Sequence, residues 1–127
     1  MKMTKKQYYT FPQFKNLYLE DSFVLNIKAE ANYVEFLLEV VLTENHPLYV
    51  PPSSQEQYCY KKAKLRFYNA KQIKWIEKTN VFFTDANNEI DYGNIDEFFK
   101  EENYFYLSGD WGELAIVEPS ISFEILT

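Results

Sequence analysis

The chain has 127 residues, the size of one domain, and its 46% hydrophobic and 25% charged residues suit a single folded core rather than disorder. One cysteine, Cys59, and one histidine, His46, exclude an internal disulfide framework, a cysteine-rich zinc site and any site needing two imidazoles. The net charge is −6, the 3 glycines argue against Gly-rich phosphate loops, and 11 Tyr, 11 Phe and 2 Trp favour strands packed face to face.

Lys2, Lys5 and Lys6 are followed over 7–16 by polar and aromatic residues, not by the apolar core of a secretory signal. The apolar stretch 36–42 is broken by Glu39 and is too short to span a bilayer. With no disulfide possible within the chain, these features predict a cytoplasmic protein without membrane contact.

Phe23, Leu25 and Ile27 alternate with Ser22, Asn26 and Lys28, Val24 falls out of step, and 29–32 reads as a turn. Val34, Phe36, Leu38, Val40 and Leu42 then form an unbroken every-second-residue apolar set. Tyr33, Glu35, Leu37, Glu39 and Val41 face the other way, the pattern of a half-buried strand. Residues 44–57, with His46-Pro47, Pro51-Pro52 and Ser53-Ser54, read as a long loop.

Over 58–68, Cys59, Ala63, Leu65 and Phe67 point one way and Tyr58, Tyr60, Lys62, Lys64, Arg66 and Tyr68 the other. Lys61 falls on the apolar side and must snorkel. Residues 72–77 make a shorter strand with Ile73 and Trp75 facing together, and 81–84 another. Residues 94–102 read as the one short helix, with Asp96 and Glu97 near its start where the dipole favours acids. Residues 104–108, 111–117 and 121–125 read as a three-strand meander, turned at Gly109-Asp110 and at Glu118-Pro119-Ser120. The expected fold is mainly β: an antiparallel twisted sheet of about six to eight strands forming a sandwich or open barrel, with one short helix. An α+β domain is the alternative.

Charge is unevenly spread. Residues 1–80 carry 12 basic and 8 acidic groups, whereas 81–127 carry 1 basic and 11 acidic. Residues 61–78 hold seven basic groups against Glu77, and 85–102 hold seven acidic groups against Lys100. Either the two segments neutralise each other or the acidic one faces solvent as a recognition surface for a basic partner.

Other constellations point less far. Residues 85–96 carry oxygen side chains where a calcium loop needs them, but Ile90 occupies the place of the turning glycine and Asp96 that of the bidentate glutamate. Cys59 with His46 is a nominal nucleophile–base pair, yet Cys59 lies on an apolar strand face and no third orienting group is identifiable. The interleaved tyrosines and cations of 58–68 resemble a stacking platform for single-stranded nucleic acid, but the chain is acidic, and cross-strand pairing explains them better. No phosphate loop, nucleophile elbow or metalloprotease motif occurs.

Four strings, 46–52 (HPLYVPP), 57–60 (QYCY), 91–96 (DYGNID) and 109–112 (GDWG), together resemble a family of small bacterial β-rich proteins of uncharacterised activity. The resemblance runs from about Leu19 to the last residue and implies no catalytic residues. More loosely, Glu20-Asp21-Ser22-Phe23-Val24 before an alternating strand is similar to the His-Asp-Ser opening of immunity proteins of bacterial toxin systems, with glutamate where those have histidine.

The expected function is therefore a non-enzymatic protein-binding domain, in its most specific form an immunity-type inhibitor of a toxin. No cofactor, metal or nucleic acid is expected. A basic partner such as a toxin domain would meet Asp85, Glu89, Asp91, Tyr92, Asp96 and Glu97. The alternative is a structural or regulatory β-domain that self-associates as a homo-oligomer, and an enzyme of unrecognised type comes third.

Overall fold

The computed structural model describes residues 5–54, 58–79, 82–84 and 88–126. A two-residue strand β1 (Lys6–Gln7) leads into two single-turn 3-10 helices, Tyr8–Thr10 and Pro12–Phe14. Three long strands follow: β2 (Leu17–Glu30), β3 (Tyr33–Leu42) and β4 (Cys59–Tyr68). Next come β5 (Gln72–Lys78) and the short β6 (Phe83–Thr84) and β7 (Ile90–Asp91). The chain ends with β8 (Glu97–Glu101), β9 (Tyr104–Gly109), β10 (Gly112–Val117) and β11 (Ser120–Ile125). The mainly antiparallel β fold is as the alternation predicts.

The strands form a five-stranded sheet in the order β1-β8-β9-β10-β5 and a four-stranded sheet in the order β11-β4-β3-β2, with β6 and β7 paired apart. The two large sheets face each other across one aromatic core, the sandwich form of the expectation. Phe67 of β4 meets Phe98 and Phe105 of the opposite sheet, each at 5.9 Å, and Phe36 of β3 meets Trp111 at 5.1 Å. Edge-to-face and tilted rings at these separations let a small domain fill its core with few residues. All five inward residues of β3 are buried, as are Cys59, Ala63, Leu65 and Phe67 of β4. Lys61 stands in register with the buried Val40 and is itself half-buried.

Four local expectations are corrected. First, the core residue at the centre of β2 is Val24, not Phe23 or Leu25. Leu25 is the extra residue of a bulge between the pairs Val24–Leu38 and Asn26–Leu37, so Val24 and Ile27 face inward and Phe23 turns out onto Tyr60 at 5.9 Å. A larger bulge precedes it, where residues 19–22 oppose Val40 alone. Ser22 fills that gap: its buried hydroxyl donates to the Tyr18 carbonyl at 2.6 Å and accepts the Val41 N–H at 3.0 Å. The Tyr8 hydroxyl braces the same bulge, accepting the Leu19 N–H at 3.2 Å and donating to Glu20 Oε2 at 2.8 Å.

Second, residues 94–102 are not a helix but the approach to and body of β8. β8 pairs with β9 on one side and β1 on the other. Phe98 packs into the core while Phe99 stacks on Tyr106 at 5.0 Å. Two adjacent phenylalanines both buried, on opposite faces, is what a covered strand achieves, and a short helix has little stability of its own against it.

Third, the last three strands are not one meander. β11 pairs with β4 in the other sheet, and the meander is β8-β9-β10. Glu118 has a left-handed φ of 46° and its N–H donates to the Asn103 carbonyl at 2.8 Å, which turns the chain out of its sheet before Pro119. Fourth, the β9–β10 turn is Asp110-Trp111, between the paired Gly109 and Gly112, one residue later than expected. For the strand expected at 81–84, Val81 lies outside the described residues and 83–84 form β6.

Candidate functional site

Three of the strings that stood out in the sequence, 20–24, 91–96 and 109–112, interlock in space. Gly93, with a left-handed φ of 89°, lies so close to Asp110 that a Cβ there would sit 2.5 Å from its Oδ2. The Asn94 carbonyl accepts the Trp111 indole N–H at 3.1 Å, and the Asn94 amide donates to the Ser22 carbonyl at 2.8 Å. The Val24 N–H and carbonyl both pair with this segment, to the Gly93 carbonyl and from the Tyr92 N–H, each at 2.8 Å. Thr79 Oγ1 donates to the Asp110 carbonyl. Residues 22–24, 91–96 and 109–112 thus make one hydrogen-bonded knot over the edge of β2.

This knot divides the predicted partner-binding residues instead of gathering them. Asp85 lies outside the described residues. Glu89 and Asp91 flank a small cleft of about 150 Å³ beside Phe23, Leu25 and Glu39. Asp91 Oδ1 also accepts the Gly93 N–H at 2.9 Å, fixing the turn. Tyr92 turns into a different cleft of about 350 Å³, shared with Trp75, Trp111, Lys78 and Thr79. Trp75 and Trp111 meet edge to face there at 6.2 Å, and the Lys78 ammonium lies 5.0 Å from the Trp75 ring centre.

Asp96 and Glu97 sit at the start of β8, where the Asp96 N–H donates to the Ser108 carbonyl at 2.8 Å. The Asp96 carboxyl titrates above its ordinary range, first because of partial burial, then because Asp110 and Glu97 repel its charge. Asp110 is an acid that the linear sequence did not associate with the segment. Its contribution depends on the β9–β10 turn folding back, which the spacing along the chain does not reveal.

The basic strand finds its acids elsewhere. Lys62, Lys64 and Arg66 of β4 lie in register with Glu39, with Glu124 and with Glu35. Arg66 Nε donates to Glu35 Oε1 at 2.6 Å, and this bond holds the Glu35 carboxyl below its ordinary value. Lys71 pairs with Glu118 at 2.5 Å. On the face that resembled a nucleic-acid platform, Lys62, Lys64 and Arg66 thus each stand opposite an acid of a neighbouring strand, and Arg66–Glu35 is an ion pair.

Cys59 and His46 are each engaged by backbone of the intervening loop. The buried Cys59 Sγ accepts the Val50 N–H at 3.5 Å, and His46 Nδ1 accepts the Leu48 N–H at 3.0 Å. Burial keeps the His46 imidazole below its ordinary pKa. No helix among the described residues is long and apolar enough to cross a membrane. Compared with protein-family models, curated proteins and solved structures, the chain matches none.

Proposed function

We propose that the chain is a non-enzymatic protein-binding domain that takes a basic partner at its Asp96–Glu97–Asp110 corner. The reading rests on one observation: the β9–β10 turn folds back against Gly93, so the exposed acids Asp96, Glu97 and Asp110 share one surface corner where β8 begins. Held together, such acids repel; cations from a partner relieve the repulsion and speed encounter. Lys62, Lys64 and Arg66 face acids on their own sheet, which supports an outward role for this corner. The most specific form of the reading, an inhibitor of a toxin domain, draws on the resemblance at 20–24; a large secreted toxin encoded beside this gene would favour it, and a metabolic operon would disfavour it.

Pentalysine serves as a charge probe. Amide shifts at Asp96, Glu97 and Asp110 should saturate with pentalysine at low salt and weaken as salt is raised. The D96N/E97Q/D110N variant should melt no lower than the parent while losing most of this binding. Equal binding by parent and variant would end the reading.

A further inference from the structure

The outer face of the five-stranded sheet carries two patterns at once. Across one row, Glu97, Ser108, Glu113 and Glu77 stand in register on four adjacent strands, three of them glutamates. Beside that row lies a mostly apolar groove of about 430 Å³, lined by Ile76, Phe99, Tyr104, Tyr106, Ala115 and Val117 together with the polar Gln72 and Lys74. Ile76 is the extra residue of a bulge in β5 and is 52% exposed. Tyr106 joins the two patterns, donating its hydroxyl to Glu113 Oε2 at 2.8 Å, and Tyr104 does the same to Glu101 at 2.9 Å.

We propose that this face is the docking surface for the basic partner, its groove taking aliphatic side chains and its glutamate row the lysines or arginines between them. The inference rests on the function proposed above and extends it from a charged corner to a whole sheet face, which Glu97 joins to that corner. An apolar centre with a charged rim is the usual anatomy of a protein interface. Charge selects the occupant: Glu77, Glu97, Glu101 and Glu113 outnumber Lys5 and Lys74 on this side, so a second copy would bring glutamates against glutamates. The chain also displays the contact in miniature. The Lys5 ammonium lies 4.0 Å from the centre of the Phe99 ring, a cation seated on this same aromatic surface.

The test compares pentalysine with a five-residue peptide alternating lysine and leucine, by amide chemical shifts. The mixed peptide should shift Ile76, Tyr104, Tyr106, Ala115 and Val117 and bind roughly tenfold more tightly, the effect of partly burying two leucines. Ile76→Asn, at an exposed bulge, should remove that advantage and leave pentalysine binding unchanged. Equal affinities, or shifts confined to Asp96, Glu97 and Asp110, would overturn the docking face while leaving the charge-based reading intact; shifts confined to Asp91, Tyr92 and the tryptophan cleft would overturn both. Shifts on this face that depend on protein concentration without peptide would overturn the choice of occupant in favour of a second copy. Failure of both peptides to bind would remove the functional reading and the docking face together.

Discussion

The indole N–H of Trp111 donates to the Asn94 carbonyl at 3.1 Å, so the tip of the β9–β10 turn holds the segment that feeds β8. Trp111 also packs its ring on Phe36 of the opposite sheet. One side chain therefore couples both sheets to the acidic corner. Trp111→Phe keeps much of the ring packing but leaves that carbonyl without its donor. It should cost about 1–3 kcal/mol in urea denaturation. Trp111→Ala should cost about 3–5 kcal/mol, because a large buried ring is lost as well.

Ser22 stands in for backbone that the β2 bulge removes from the ladder. Ser22→Ala removes the hydroxyl that bonds both the Tyr18 carbonyl and the Val41 N–H at the bulge. The expected loss is about 1–3 kcal/mol by chemical denaturation. Ser22→Thr should recover only part of it, since the buried site has little room for a methyl group.

Two carboxylates should give opposite pH signatures. Asp96 holds its proton to higher pH folded than unfolded, so the folded state binds more protons across that window and stability falls as pH rises through it. Glu35 is held below its ordinary value by Arg66, so its contribution is present at neutral pH and is lost as pH falls through the folded value. Asp96→Asn should raise the neutral-pH melting temperature and flatten the gain on mild acidification. Glu35→Gln should lower it by the equivalent of about 1 kcal/mol or less, with the difference vanishing in acid. Matched melts of both variants across the acid range check the two signs.

Cys59 should label slowly in the native state. Its thiol is buried and engaged by the Val50 N–H, so a reagent must wait for the segment around Val50 or the whole sheet to open. Labelling followed by mass should track the population of opened molecules as urea is added. Rapid labelling without denaturant would place the thiol on the wrong face.

Glu102 occupies the β8–β9 turn with a left-handed φ of 52°. Asparagine tolerates this region better than glutamate. Glu102→Asn, at an exposed turn, should therefore stabilise by about 0.5–1 kcal/mol, read from the denaturation midpoint. A loss would mean that the Glu102 side chain contributes more than its backbone costs.

What could be read along the chain was whatever a strand declares by itself. The five inward residues of β3 and the inward set of β4 were legible because a side-chain period of two survives in any sheet, whichever strands lie beside it. The uneven charge and the absence of familiar catalytic motifs were likewise properties of the string. Everything that depends on a neighbour was not. Leu25 is a bulge residue only because β3 offers Leu37 and Leu38 on either side of it, and that placed Val24 in the core. Residues 97–101 extend because β1 and β9 supply hydrogen bonds and cover for both Phe98 and Phe99; the local sequence alone was compatible with a helical turn. β11 leaves its predecessor for β4, a choice made by the sheet edge that was open and by the left-handed Glu118. The site followed the same division. Acids at 89–97 were visible as a run, but their separation into two groups, the arrival of Asp110 beside Asp96, and the row of Glu77, Glu97 and Glu113 are consequences of register. Register is set by which surfaces the whole chain must bury at once, and a single segment carries no record of its partners.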